Sequence, residues 1–230
     1  MVHSLLLTAA AILTATVAIP GADAQATTID EGSFTITRGG APAGREDFSI
    51  RGTPGIGGTI HMAQATVTLD GQRLAPALST DPSGAPIAYQ IEVRTDGQTE
   101  RLSGQVSRGR LSVRRQGTSG ASAKEYVVAD GTVILDDDVF HQYYFVAPRA
   151  PGPTNIPVLG PRRGTQTVMR LSSQGPEAVV VGGRSLEATH LVLSEPGGDD
   201  RDIWVDARGR VLKVAIPGRS IVALRDDPPR

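Results

Sequence analysis

Apolar and polar residues alternate along most of this chain, and short turns rich in Gly separate the alternating stretches. Phe34 and Ile36 are flanked by Ser and Thr, and Phe48 and Ile50 repeat the pattern after a Gly-containing loop at 39–44. Because successive side chains of a strand point to opposite faces of a sheet, this spacing predicts strands with one buried face. The chain is therefore constrained to antiparallel pairing between neighbours, beginning with a hairpin around that loop.

The turn-forming residues support the same interpretation. Gly accounts for 27 and Pro for 16 of the 230 residues, and together they exceed the average share of about 12%. Such a composition disfavours long helices. We predict about twelve short strands in one curved antiparallel meander.

The spacing changes once, after three successive Asp residues at 136–138. Large apolar residues then recur at helical spacing, namely Val139, Phe140, Tyr143 and Tyr144. An Asp before them is suited to cap a helix, so we predict a short helix over 137–146. The expected fold class is all-β, mainly β with one short helix, in which the curved meander forms a half-barrel or barrel plugged by that helix.

A segment rich in Pro, Gly and Arg follows at 148–165 and shows no regular spacing. At about 18 residues it exceeds the ~12–15 of an ordinary loop, which predicts a linker, a lid or a flap. Its apolar residues either cap the core or join the aromatic residues of the helix in lining a pocket for an apolar ligand. The candidate ligand-binding residues are Phe140, Tyr143, Tyr144, Ile156 and Leu159.

The chain begins with an apolar stretch at 5–19 that only Thr interrupts, and positions 22–24 are Ala-Asp-Ala. Small residues at the first and third of these positions are typical of a signal-peptidase site. We predict a signal peptide over 1–24, cleavage after Ala24, and a single β-rich domain over 25–230. The alternative, a permanent anchor, needs about 20 apolar residues. The expected location is exported, either periplasmic or secreted.

Charge and cysteine content bound the partners. The chain has 23 basic and 24 acidic residues, a balance that does not indicate a nucleic-acid surface. It has no Cys, which excludes disulfides and Cys-ligated metal. We expect a monomer with no cofactor, no nucleic-acid partner and no membrane span after cleavage, whose ligand is a lipid or another small hydrophobic molecule.

The stretch 202–214 places Trp204 before an Asp/Arg/Gly turn at 206–209. This motif resembles the closing hairpin of uncharacterised exported proteins related to the lipoprotein-carrier half-barrel superfamily. The resemblance implies an unclosed antiparallel barrel that wraps a helix and holds acyl chains. This chain departs from that pattern in having one short helix instead of several long ones. The uncharacterised group has no agreed activity, so the resemblance implies no catalytic residue.

Three histidines follow the predicted signal peptide: His61, His141 and His190. None stands at a spacing typical of metal ligands, and the chain has no Gly-x-Ser-x-Gly motif. We therefore predict no catalytic residue and no metal ligand. Three separate histidines can still meet in the fold beside acidic groups, which leaves a hydrolase or metal-assisted enzyme as an alternative.

These observations favour an exported, non-catalytic protein that binds a lipid or another hydrophobic ligand in a half-barrel pocket. The alternative enzyme would use His61, His141 or His190. A further alternative is a structural or interaction module of the cell envelope that uses an exposed sheet edge. A filled barrel interior favours the interaction module, and a hollow apolar interior favours the ligand-binding protein.

Overall fold

The described part of the chain folds into one curved sheet of fifteen strands. The structure is a computed structural model that describes residues 26–118, 120–150 and 154–230; the predicted signal peptide lies outside them. The predicted all-β fold class is confirmed. The strands are β1 (Thr27–Arg38), β2 (Ala41–Gly55), β3 (Gly58–Leu69), β4 (Gln72–Thr80), β5 (Pro86–Thr95), β6 (Gln98–Ser107), β7 (Arg110–Gly117), β8 (Gly120–Val127), β9 (Val133–Ile134), β10 (Thr154–Gly160), β11 (Thr165–Val181), β12 (Arg184–Ser194), β13 (Arg201–Val205), β14 (Val211–Ile216) and β15 (Ile221–Arg225).

Almost every strand pairs antiparallel with its neighbours in the sequence. The order across the sheet is β8-β7-β6-β5-β4-β3-β2-β1-β15-β14-β13-β12-β11-β10-β9. The one long-range antiparallel pair joins β1 to β15, with Phe34 opposite Arg225. The last pair, β9 with β10, is parallel. The sheet therefore has two terminal strands, β8 and β9.

Two-residue turns set the register of several hairpins. Asp70 and Gly71 have φ values of 49° and 79°, and Asp96 and Gly97 have values of 49° and 77°. Positive φ at both positions gives the turn whose twist matches that of paired strands, and Asp and Gly tolerate this conformation better than most residues. Both turns are therefore of the kind that Asp-Gly pairs favour between antiparallel strands.

Side chains, not a strand ladder, bridge the gap between β8 and the turn that joins β10 to β11. Lys124 donates from Nζ to the carbonyl of Gly164 at 2.6 Å, and Gln166 donates from Nε2 to the carbonyl of Val127 at 2.9 Å. Arg115 on β7 also donates to the carbonyl of Arg162. The sheet is thus an open barrel whose edges meet at one end of β8.

The segment 133–149, called the plug below, lies against the inner face of the sheet. It contains β9 and two 3-10 turns, His141–Phe145 and Ala147–Arg149. The predicted short helix is confirmed in the turn His141–Phe145, which is of the 3-10 type and shorter than the predicted range 137–146. Its expected Asp cap is absent because the acidic side chains have other partners: Asp137 and Asp138 both pair with Arg219, at 3.1 Å and 2.8 Å.

The predicted loop over 148–165 is wrong for its central part, which is strand β10. Ile156, Val158, Leu159 and Gly160 are all buried there. A strand that is covered on both faces has no alternation of apolar and polar residues, so spacing alone does not reveal it.

The predicted number of about twelve strands is lower than the fifteen observed. The longest strand, β11, has a register shift between Ser173 and Gly175. Among the described residues, no helix has the length and apolar character needed to cross a bilayer.

Candidate functional site

The five predicted ligand-binding residues lie on the plug and on β10. Phe140, Tyr143, Ile156 and Leu159 are each at most 4% exposed and belong to the main core, while Tyr144 is half-buried against that core. Two surface grooves of 640 and 510 Å³ occur in the described structure, and neither is lined by any of the five. The structure therefore brings these residues together, but their contacts are with the core. Ligand binding by them stays a prediction.

A buried carboxylate holds the start of the first 3-10 turn. Glu46, on the inner face of β2, is fully buried and accepts hydrogen bonds from the backbone N–H groups of Phe140 and His141 at 2.6 Å and 2.9 Å. Its Oε1 atom also lies 2.5 Å from His141 Nδ1. The imidazole is stacked on Phe48, with ring centroids 6.0 Å apart. This cluster fixes the plug to the sheet.

A second buried cluster joins the plug to β5. The Tyr89 hydroxyl donates to Asp136 Oδ2 at 2.5 Å, and the backbone N–H of Arg162 donates to Asp136 Oδ1 at 2.9 Å. Burial raises the pKa of Asp136 to about 6, although these two hydrogen bonds oppose the shift. Burial also raises the pKa of Tyr89 well above its ordinary value. Since Asp136 is only 3% exposed and Tyr89 only 2%, neither group is accessible to a substrate.

The three histidines have separate environments. His141 lies beside Glu46, as described above, whereas His61 lies near Phe145, with ring centroids 6.2 Å apart. Burial lowers the pKa of His61, and the nearby Asp81 opposes this shift. His190 is held by Glu177 at 3.0 Å from Nδ1 and by Asp202 at 2.8 Å from Nε2. No group of three metal-ligating side chains occurs among the described residues.

His190 also belongs to a stack on the outer face of the sheet. Its ring is nearly parallel to that of Trp204, and the two ring centroids are 4.4 Å apart. Lys213 Nζ lies 4.0 Å from the Trp204 ring centroid. The three residues are cross-strand neighbours on β12, β13 and β14. Carboxylates occupy both nitrogens of His190. Since both ring nitrogens already have carboxylate partners, neither is free to contact a nucleophile, and this arrangement favours a structural role for His190.

The end of the sheet at β9 is well covered. Val133 and Ile134, the whole of β9, are both buried and pair with Val158 and Leu159 of β10. Beyond this pair β10 carries Pro157, which has no backbone N–H to offer a further strand. Short edge strands and proline are both features that prevent edge-to-edge association.

The other end, β8, is open. Every residue of β8 except Tyr126 is exposed. The carbonyl of Val127 points away from β7, since it accepts the Gln166 amide. Because the direction of the N–H and C=O groups alternates along a strand, Ala121 and Ala123 also direct theirs away from β7. Within the described structure, these groups of Ala121 and Ala123 have no hydrogen-bond partner.

Sequence reasoning missed Glu46, and it raised an exposed sheet edge as an alternative without assigning that edge to β8. Glu46 shares the inward phase of Phe48 and Ile50, and a charged residue in a buried phase is a signal that it has a buried partner. The position of the edge was harder to predict from the sequence. Gly120, Ala121 and Ala123 are residue types that do not favour strands, so their part of β8 shows little strand character.

Comparison with known proteins yields fold relatives without an established function. No curated protein sequence matches this chain. A beta-barrel-like protein of domain of unknown function DUF1849 from Brucella abortus is similar in structure, with a TM-score of 0.52 and 8% identity over 87% of this chain and 95% of that protein. A DUF1089 family protein from Pseudomonas aeruginosa gives a TM-score of 0.41 and 15% identity over 94% of this chain and 98% of that protein.

The first of these structures supports the barrel-like fold alone. The relationship to the lipoprotein-carrier superfamily stays a prediction. A sequence-family model, by contrast, matches residues 87–225, from β5 through the plug to β15. This range is more than half of the chain, and the chain therefore belongs to the family described as Domain of unknown function (DUF6134).

Proposed function

We propose that this protein is an exported, non-catalytic interaction module that binds an extended segment of a partner protein by strand addition at β8. The observation that carries the proposal is the row of unpaired backbone groups at Ala121 and Ala123. An exposed strand edge pairs with another extended chain through main-chain hydrogen bonds, which supply affinity without a preformed cavity.

The contrast between the two ends of the sheet supports this assignment. One end is closed by the short, buried β9 and by Pro157, whereas the other presents the exposed strand β8. Side-chain bridges occupy only the Lys124–Val127 end of β8. Residues 120–123 therefore remain accessible, and at ~3.4 Å per residue they offer a contact about 14 Å long.

The side chains of this edge suit a partner of varied sequence. Residues 120–123 are Gly, Ala, Ser and Ala, and such small side chains leave room on both faces for the larger ones of an added strand. Their lack of charge places little demand on the partner's own charge. We expect affinity from the backbone and modest sequence preference.

A hydrophobic ligand inside the barrel is supported less well. Phe140 and Leu159 are at most 1% exposed and pack with the sheet residues of one core, so binding there requires their displacement. Native mass spectrometry of the protein purified without detergent distinguishes the two functions. We expect the mass of the polypeptide alone, and a retained lipid would favour the hydrophobic-ligand alternative.

Site-specific photo-crosslinking in the producing cell tests strand addition. A photoreactive residue at Ala121 should give an adduct with one defined partner protein, whereas the same residue at Asn155, an exposed position on β10 at the other end of the sheet, should not. Ala123→Pro removes an outward N–H without removing a bond to β7, and should abolish the adduct. Ala123→Val keeps the N–H and should retain it. The proposal would be overturned if the photoreactive residue at Ala121 gave no adduct, or if Ala123→Pro left the adduct unchanged.

A further inference from the structure

A second surface feature lies across the outer face of β3 to β7. It is a groove of 640 Å³, called the outer trough below. Cross-strand pairing places its outward side chains in two adjacent rows, one on each side of the groove axis. The first row consists of Gln64, Ala77, Gln90, Ser103 and Arg114, and the second of Met62, Ser79, Ala88, Gln105 and Ser112.

Small residues create the trough. Ala77 and Ser79 on β4 and Ala88 on β5 give a low floor between the longer outward side chains, which include Gln64 and Met62 on β3 and Arg114 on β7. The rows cross four intervals between strands, or about 19 Å at ~4.8 Å per interval. An extended polypeptide advances ~3.3–3.6 Å per residue, so the trough has the length of about six residues.

The lining is uncharged along most of its length and rich in hydrogen-bonding groups. Three glutamine amides and four serine hydroxyls line it, no carboxylate does, and Arg114 is the one cationic lining residue. Each glutamine amide offers both a donor and an acceptor, as a peptide group does. No other described residue forms a side-chain hydrogen bond with Gln64, Gln90 or Gln105, so the three amides are available to a ligand.

Arg114 adds a charge at one end. The adjacent arginines are paired, Arg110 with Glu125 at 3.8 Å and Arg115 with Glu100 at 3.0 Å. Among the described residues, no carboxylate lies within 4 Å of the Arg114 guanidinium. A guanidinium that is free to bind is well suited to a carboxylate, which it contacts through two parallel hydrogen bonds.

We propose that the outer trough binds the C-terminal residues of an extended polypeptide, with uncharged side chains across β3–β6 and the terminal carboxylate on Arg114. Aromatic residues of the type that stack on sugar rings are absent from its surface: Tyr89 borders the trough only by its backbone side, since its hydroxyl is bound to the buried Asp136. The lining thus favours a peptide over a glycan. The site goes beyond strand addition at β8, because the trough runs across the strands and not along an edge.

Titration of the mature protein with hexapeptides, followed by the NMR shifts of its backbone amides, tests this site. The probes are a library of Ala, Ser, Thr, Gln and Val hexapeptides with free C-termini, and the same library with C-terminal amides. We expect shifts in β3–β7 and about tenfold weaker binding of the amidated library. Absence of shifts with either library at millimolar concentration would overturn the proposal, as would equal binding of the two.

Matched variants separate the trough from the rest of the outer face. Ala77→Trp fills the trough and should abolish binding, whereas Ala75→Trp, two residues away on the same face, should leave it unchanged. Arg114→Gln should remove the preference for the free carboxylate. The control Arg101→Gln changes an arginine that pairs with Glu92 outside the trough, and it should keep that preference.

A glycan probe, chitotetraose, tests the choice of peptide over glycan. Binding of chitotetraose to the wild type but not to Ala77→Trp would contradict the peptide assignment. Ala121→Pro changes the β8 edge opposite Gln116 and not opposite Arg114. It should bind the peptides normally, so that failure of the β8 proposal is distinguishable from failure here.

Discussion

Glu46 and His141 form a buried pair across the barrel, with Glu46 Oε1 2.5 Å from His141 Nδ1 and both side chains fully buried. The same carboxylate accepts the backbone N–H groups of Phe140 and His141. One side chain of β2 therefore satisfies three donors of the plug. Because buried donors that lack an acceptor are costly, we infer that this pair determines where the plug sits.

Removal of this carboxylate should destabilise the protein strongly. We expect Glu46→Ala to lower the free energy of unfolding by about 3–5 kcal/mol, since three buried donors lose their acceptor. Glu46→Gln keeps one acceptor oxygen and should cost about 1–3 kcal/mol. The control Glu187→Ala changes an exposed residue on β12 and should stay within about 0.5 kcal/mol. Urea denaturation measures all three, and equal stability of Glu46→Ala and the control would contradict this role.

Asp136 should make stability fall as the pH rises. Its pKa is raised from 3.8 to about 6, so the folded state binds the proton more tightly than the unfolded state does. The protonated Asp136 therefore contributes to the free energy of unfolding below about pH 4, and this contribution is lost as the pH rises towards 6. It amounts to about 3 kcal/mol at most. His61 acts in the opposite sense, because burial lowers its pKa and stability is lost as the pH falls below 6.5.

The comparison with Asp136→Asn isolates this effect. The variant cannot ionise, so the difference in unfolding free energy between wild type and variant should shrink from pH 4 to pH 7. Urea denaturation at each pH measures it. A difference that is constant over this range would show that the Asp136 pKa is the same in the folded and unfolded states.

Phe140 distinguishes a packed core from a ligand pocket. If it is a core residue, as its burial indicates, Phe140→Ala should lower the free energy of unfolding by about 3–5 kcal/mol through loss of contacts and creation of a cavity. Ile56→Ala, at a fully exposed position, serves as the control and should have little effect. A loss below about 1 kcal/mol at Phe140 would instead indicate a side chain that faces a hollow pocket.

Export should be visible at the N-terminus of the mature protein. We expect protein purified from the producing cells to begin at Gln25, as N-terminal sequencing reports. Ala24→Arg should block cleavage, because signal peptidase requires a small residue at that position. Wild-type protein that retains Met1 would contradict the prediction.

Much of the fold follows from local sequence. Period-two alternation revealed β1, β2 and β5, because each has one face in the core and one in water. The same rule could not reveal β10, whose buried residues lie on both faces. In β4, Pro76 lies at an inward position between Leu74 and Leu78, which obscured an otherwise regular alternation.

The features that bear on function were harder to predict because they depend on tertiary arrangement. The Glu46–His141 pair joins residues 95 positions apart. The free edge at Ala123 exists because the chain leaves the sheet after β8 and returns at its other end. The outer trough depends on small residues that are brought side by side by the register of β4 and β5, such as Ser79 opposite Ala88. The turns that set the register between strands can be found in the sequence, but no local pattern shows which side chains that register brings together.

Amide hydrogen exchange at Ala121 and Ala123 tests strand addition most directly, with NMR resolving each residue. In the protein alone, we expect both amides to exchange rapidly, because they point away from β7, while the amide of Ser122 is protected by the ladder. On addition of the partner identified by crosslinking, exchange at Ala121 and Ala123 should slow by at least about tenfold, with Ser122 unchanged. Protection of Ala121 and Ala123 in the free protein, or rapid exchange that persists in the complex, would contradict strand addition at β8.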